Sequence, residues 1–339
     1  MRTVIAGVRP WRHDLAGCLH ACAATLLRHA GVAPLEVLGS AWRFEYESGD
    51  FRREEYYFPG RPGESLLQSL APYHPLRSSW HLPADPDQGW AQVRQQVAAG
   101  QPVAVAVDNF HLPFRPAYQD VHSNHLLIVY GFDDERGVVR VLDAVPPRFD
   151  GEITVGQLTA ARGSGNQAAH ERDLFFADQR IDHRWLQAHV DPDSALVLNR
   201  DTVRDVLRRN LDGFAAPSGT TTYSGLAGQA AFLRDIARRL ADGEPVTDEL
   251  FVVAGAVLAV TALHADWLGL AGQALGDHAL VETSRHVERV AHHWSAVRIL
   301  AALTRTGDVS VDRLRRRFRA LMAAHEATLT ELDDLVVTW

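Results

Sequence analysis

The chain has 339 residues, enough for two domains or one large decorated one, and 46% of them are hydrophobic, so a sizeable core can be buried. All 34 basic residues are Arg, which excludes Schiff-base lysine chemistry and a P-loop lysine, and a net charge of −8 argues against wholesale nucleic-acid binding. The N-terminal stretch MRTVIAGVRPWRHD has no signal-peptide pattern. The longest apolar run, Leu250 to Leu263, falls short of the ~20 residues that span a bilayer. The expectation is a cytoplasmic protein with no membrane partner.

In chain order, residues 16–30 (AGCLHACAATLLRHA) carry helix formers with an apolar stripe, and Gly31 supplies a stop. Helices are also predicted over 64–70 and 88–99. The period then changes: 102–107 (PVAVAV), 125–130 (HLLIVY) and 138–142 (VVRVL) read as strands. The polar stretch 133–137, ending in Gly137, makes the last two an antiparallel hairpin. A helix at 154–162 and strands at 174–176 and 195–198 follow. After Asp201, a plausible N-cap, the pattern is helical to the end: a helix to about Leu211, a loop over 213–224, then four longer helices. The fold class is α+β with an all-α addition, divided as residues 1–200 and 201–339.

Cys18 stands where the first helix begins, at the positive end of the helix dipole, a position that favours the thiolate. Cys22 is one turn further in among alanines and reads as a small buried hydrophobe. Two cysteines four apart form neither a disulfide framework nor a CxxC zinc site. A cysteine nucleophile needs a base, and the base needs an orienting group. His125 begins one hairpin strand and Asp143 ends the other. With the turn centred on Asp134 they stand opposite; centred on Glu135 they are diagonal neighbours. Both registers put the two side chains on one face, with Cα atoms roughly 5 or 7–8 Å apart. Cys18, His125 and Asp143 are therefore the candidate catalytic residues.

Two segments carry a resemblance. GCLHACAATLLRHAG (17–31) resembles the nucleophile helix of bacteriocin-processing, papain-like cysteine peptidases, whose first Cys is the nucleophile and falls on Cys18. Residues 101–144 are similar to the butirosin-type acyltransferases, sharing Pro102, Asp108, Leu112-Pro113-Phe114, His125 and Asp143. GLAGQAAFLRDIA (225–237) is loosely similar to that family's second region. The resemblance covers residues 10–160 and implies a papain-like fold. The implied activity is a Cys18 acyl-enzyme that moves an acyl or aminoacyl group from a carrier-protein phosphopantetheine thioester to an amine. An amino sugar in antibiotic biosynthesis is the implied acceptor, as in a lincosamide-type condensing enzyme. No cofactor of its own is implied, since the phosphopantetheine belongs to the acyl or peptidyl carrier protein, and residues 201–339 are expected to bind the acceptor. One departure is Arg12, where papain-like peptidases carry a Gln lining the oxyanion hole; His13 or the Cys18 backbone N–H are the alternatives. The rival readings are a peptidase or amidase, and an inactive papain-like binding module.

Three further features carry weaker signals. His278, Glu282 and His286, with His292 and His293 beyond them, have helical spacing that could present metal ligands, but read as a polar stripe, so no metal is expected. The basic run Arg313, Arg315, Arg316, Arg317 and Arg319 reads as a solvated face, with docking of an acidic carrier protein as the alternative. The aromatics of 42–58 read equally as a pocket mouth or as packing.

Overall fold

The computed structural model describes residues 1–47, 76–167, 180–191, 193, 197–217, 219–304 and 309–339. The expected helix at 64–70, the strand at 174–176 and most of the 42–58 aromatic stretch lie outside these residues, as do Ala195 and Leu196. The chain forms two compact units, Met1–Pro34 with Glu55–Ala195, and Leu35–Glu54 with Leu196–Trp339. Residues 35–54, assigned from sequence to the first part, thus group with the C-terminal helices.

The first unit is α+β, built on a seven-stranded antiparallel sheet. Its strands are β1 (Arg2–Val4), β3 (Leu76–His81), β4 (Val103–Asp108), β5 (Asn124–Asp133), β6 (Val138–Asp143), β7 (Phe149–Thr154) and β8 (Trp185–Val190). The order is β3-β8-β4-β5-β6-β7, with β1 added to β5. β4 reads as an unbroken apolar run because every one of its residues is buried, as in a strand covered on both faces. α1 (Cys18–His29) packs on β5 and β8, and ten of its twelve residues are buried. α3 (Pro86–Ala98) is capped by Asp85, whose carboxylate accepts from the Gln88 N–H, and α4 (Val155–Gly163) by a Thr154–Gln157 capping box. Strands β1, β3, β7 and β8 are not legible in the sequence. β8 shows why: its Gln187 and His189 alternate with half-buried residues, giving too weak an apolar pattern over six positions.

The β5–β6 hairpin decides the site. At the turn, Asp133 pairs with Val138; further along, Ile128 pairs with Leu142, and the register shifts between Val129 and Gly131. Tyr130 is the extra residue of a β-bulge. An unbroken ladder from the turn would set Asp143 opposite Ile128, on the face away from His125. The bulge sets it opposite Leu127 instead, diagonal to His125 and on the same face. At this point β5 also changes neighbours: β4 pairs with 124–129 and β1 with 131–133, and the Ile5 N–H donates to the Tyr130 carbonyl at 2.9 Å. Gly131 eases this close approach, since a Cβ would lie 3.0 Å from the Thr3 carbonyl oxygen, 3.2 Å from the Arg140 Cβ and 3.3 Å from the Val4 Cα.

The second unit contains α5 (Arg200–Ala215), α6 (Gly225–Ala241), α7 (Thr247–Leu275), α8 (His278–Thr304) and α9 (Val311–Thr338), with α2 (Pro34–Leu38) at its entry and a small ladder of β2 (Glu45–Glu47) with β9 (Thr222–Ser224). Asn199, not Asp201, caps α5, accepting from the Thr202 N–H at 2.9 Å. Val197 and Leu198 lie outside regular structure, against the strand expected over 195–198. α7 is longer than its apolar run suggests. By length and mean hydropathy (1.7) it could cross a membrane, yet 72% of that window is buried inside the protein, as in a core helix. Trp42 packs against it in the core: the indole N–H donates to Thr261 Oγ1 at 3.2 Å, and the ring stacks on His264 and on His325 of α9. Phe44 packs on Phe232 and Trp294, and Tyr46 on Tyr223 and Phe232. For these three aromatics the packing reading holds.

Candidate active site

Cys18 is the first residue of α1. Its predecessor Gly17 occupies the N-cap without a side chain to close the helix end. The first-turn N–H groups have no partner within the helix, so they face outward with the dipole behind them. The thiol is buried and reduced, as is Cys22.

His125 and Asp143 project from the hairpin face just described. The His125 Nε2–H donates to Asp143 Oδ2 at 2.7 Å, and the Cys18 thiol is hydrogen-bonded to the same imidazole. With Nε2 engaged by the carboxylate, the nitrogen left for the thiol is Nδ1. All three side chains are buried. Burial lowers the His125 pKa, but the charge and hydrogen bond of Asp143, followed by those of Cys18, outweigh it and bring it up to about 9. Burial pushes the Asp143 carboxyl up, whereas His125, then Arg115 and the Val145 N–H, hold it below its ordinary value. The Cys22 thiol is raised well above its ordinary value by burial and then by the charges of Cys18 and Asp143. His125 is thus held as the imidazolium and Cys22 as the neutral thiol.

Arg115, which carries no motif in the sequence, completes the arrangement. Its Nη1 donates to Asp143 Oδ2 at 3.2 Å and to the Val145 and Pro146 carbonyls at 3.1 and 3.3 Å. The other carboxylate oxygen accepts from the Val145 N–H at 2.9 Å. Arg115 belongs to the 109–123 loop, and Asp108 fastens both ends of it. Asp108 Oδ1 accepts from the Phe110 and Ser123 N–H groups, each at 3.0 Å, and Oδ2 from Ser164 at 2.6 Å, with His122 Nδ1 also at 2.6 Å. Asp108 pairs with Asn124, and Val107 with His125, so this network lies on the opposite face of the sheet from the histidine.

Arg12, at the position where papain-like peptidases carry a glutamine, lies 3.6 Å from Asp14. His13 uses Nδ1 as an acceptor for the Leu15 N–H at 3.2 Å. The backbone N–H of Cys18, the other candidate oxyanion donor, lies in the first turn of α1, where Gly17 provides no side-chain cap. In the histidine stripe of α8, His286 pairs with Glu331 of α9, His292 with Glu288, and His293 faces Arg317. Among the described residues no group of three or more His, Cys, Asp or Glu gathers.

A helix bearing a cysteine at its first residue, set against an antiparallel sheet bearing a His–Asp pair, is an α+β arrangement compatible with the papain-like fold. Residues 17–144 match the family described as butirosin biosynthesis protein H, N-terminal. Over this stretch, less than half of its length, the chain is similar to that family. The match begins one residue before Cys18 and ends one residue after Asp143, so it contains all three candidate residues. A search of the curated proteins gave no match.

Proposed function

We propose that this protein is an amide-forming acyltransferase with Cys18 as nucleophile, His125 as acid–base and Asp143 as the group that orients it. The reading rests on one observation above the others: the His125 imidazole is hydrogen-bonded to the Cys18 thiol on one side and to the Asp143 carboxylate on the other. The thiolate attacks the thioester carbonyl of an acyl or aminoacyl group carried on the phosphopantetheine of a carrier protein. The tetrahedral oxyanion is met by the first-turn N–H of Cys18. Collapse expels the pantetheine thiol, with the His125 proton going to its sulfur, and leaves a Cys18 thioester. A neutral amine then attacks that thioester, His125 takes the amine proton, and Cys18 leaves as the amide forms.

Water competes with the amine at ~55 M, and only positioning reverses that ratio, since effective molarities of well-oriented groups reach ~10⁵–10⁸ M. A dedicated acceptor pocket is therefore required, and we assign it to residues 201–339, with an amino sugar as the acceptor. Intact mass spectrometry after mixing with a panel of aminoacyl carrier proteins tests the first half-reaction. A mass increase of one acyl group, absent from Cys18→Ala, is expected. Titrating an amino sugar into the loaded enzyme tests the second: amide formation should saturate while free acid declines. Hydrolysis insensitive to any amine, or peptide cleavage at a comparable rate, would return the chain to the peptidase reading.

A further inference from the structure

The helical unit carries an open groove of about 850 Å³ lined by α6 and α9. Its apolar floor is made by Leu233, Phe318 and Met322, and small side chains at Ala230, Ala237 and Ala323 leave it open. Five exposed arginines rim it: Arg234 and Arg238 from α6, and Arg315, Arg316 and Arg319 from α9. Arg238 is held by Asp235 and Asp242, and Arg315 lies 3.7 Å from Asp312. Arg234, Arg316 and Arg319 have no ion-pair partner among the described residues. On a chain of net charge −8, five arginines against the two acidic residues of the lining, Asp312 and Glu326, leave the rim of this apolar trough locally positive. The structure thus gives the basic run of α9 an opposing cationic rim, which the sequence did not display.

The geometry points to this groove as the docking site for an acidic amphipathic helix of the carrier protein, a proposal that rests on the acyl-transfer reading above. The occupant follows from the spacing. On each wall, arginines recur four residues apart, Arg234 with Arg238 and Arg315 with Arg319, the spacing of side chains one turn apart on a helix. A helix laid along the trough presents an apolar stripe to the floor and carboxylates of the same repeat to both rims. The lining residues of α9 run from Asp312 to Glu326, about 20 Å at ~1.5 Å per residue, which seats roughly four turns. Those two terminal residues are themselves acidic. They bound the cationic stretch and repel a polyanion that continues past it, which favours a short acidic helix over nucleic acid.

The test compares two donors of the same acyl group: the carrier protein found in the mass-spectrometric screen, and the free acyl-pantetheine thioester, which has no protein to dock. Loading of Cys18 from the carrier should fall about 10- to 100-fold in R315E/R319E and in the opposite-wall variant R234E. It should weaken with salt in the parent, while loading from acyl-pantetheine stays unchanged. R315K/R319K should retain most carrier-dependent loading. Equal loss with both donors in both variants, or no loss with the carrier, overturns the docking site. If neither donor loads the parent enzyme, the acyl-transfer reading fails separately. Docking is then decided by fluorescence anisotropy with a labelled 16-residue peptide of alternating Leu and Glu stripes. Binding that R315E/R319E abolishes and a scrambled peptide lacks supports an acidic-helix site. No binding, or equal binding by the scrambled peptide or heparin, overturns it.

Discussion

At the scale of single residues, the charge on His125 is set by a contest among its neighbours. Burial opposes the imidazolium, and Asp143 and Cys18 restore it to a pKa of about 9. In the proposed mechanism the leaving group takes that proton, so acyl-enzyme formation should lose rate as pH rises through about 9. Replacing Asp143 by Asn removes the largest favourable influence, and the descending limb should move to lower pH while kcat falls roughly 10²–10⁴-fold. Arg115→Gln should move the limb the opposite way, because Arg115 offsets part of the carboxylate charge at 3.2 Å. The pH–rate profiles of the two variants measure this, and shifts of the same sign would refute the assignment of Arg115 as a positioning residue. Cys18 and Cys22 offer a second contrast. Limiting iodoacetamide should alkylate Cys18 first across neutral pH, read by peptide mapping, since burial holds Cys22 as the thiol. First labelling at Cys22 would displace the nucleophile assignment.

At the scale of elements, the deciding feature is one extra residue in β5. The bulge at Tyr130 corrects the face on which Asp143 lies relative to His125. Deleting Tyr130 should straighten the ladder, turn one of the pair to the other face and abolish Cys18 acylation. Tyr130 also donates to Asp150 Oδ1 at 2.6 Å, so its deletion will cost some stability. Tyr130→Phe removes that hydrogen bond but keeps the bulge, and should retain most activity. Acylation rates of the two variants, with circular dichroism to confirm folding, separate register from the lost hydroxyl. A folded deletion variant that still acylates would show that the bulge does not set the pair.

At the scale of the whole molecule, several buried histidines give stability a defined pH window. His20 and His264 are lowered to about 4 and His325 to about 3, each chiefly by burial. A group whose folded pKa lies below its unfolded value of ~6.5 contributes fully above pH 6.5, and that contribution is lost as pH falls toward 4. His125 has the opposite sign: its contribution is complete below pH 6.5 and is lost as pH rises through about 9. Stability measured by urea unfolding should therefore peak near pH 6.5 and fall on both sides. His325→Phe should flatten the acid limb, because it removes one group that must charge on unfolding. A curve flat between pH 6.5 and 4 in the parent protein would contradict this account.

Elements whose signals are local can be read directly from the order of residues. Helix α1 follows from its stripe and from Gly31, β4 from a run buried on both faces, and the β5–β6 hairpin from its polar turn. The same information placed Cys18 at a helix start and His125 and Asp143 at the open end of one hairpin. Whatever depends on distant partners emerges on folding. The turn holds four residues rather than five, so local arithmetic alone would misplace Asp143, and it is the bulge stitched to β1 that restores the face. Arg115 carries no local sign of its role, because it reaches Asp143 only once Asp108 has closed the loop from the other side of the sheet. The stretch around Trp42 reads as part of the N-terminal unit until burial draws it into the helical core. A side chain's secondary structure is governed by residues within a turn or two of it, whereas its charge, partners and burial are set by chain segments that only folding brings together.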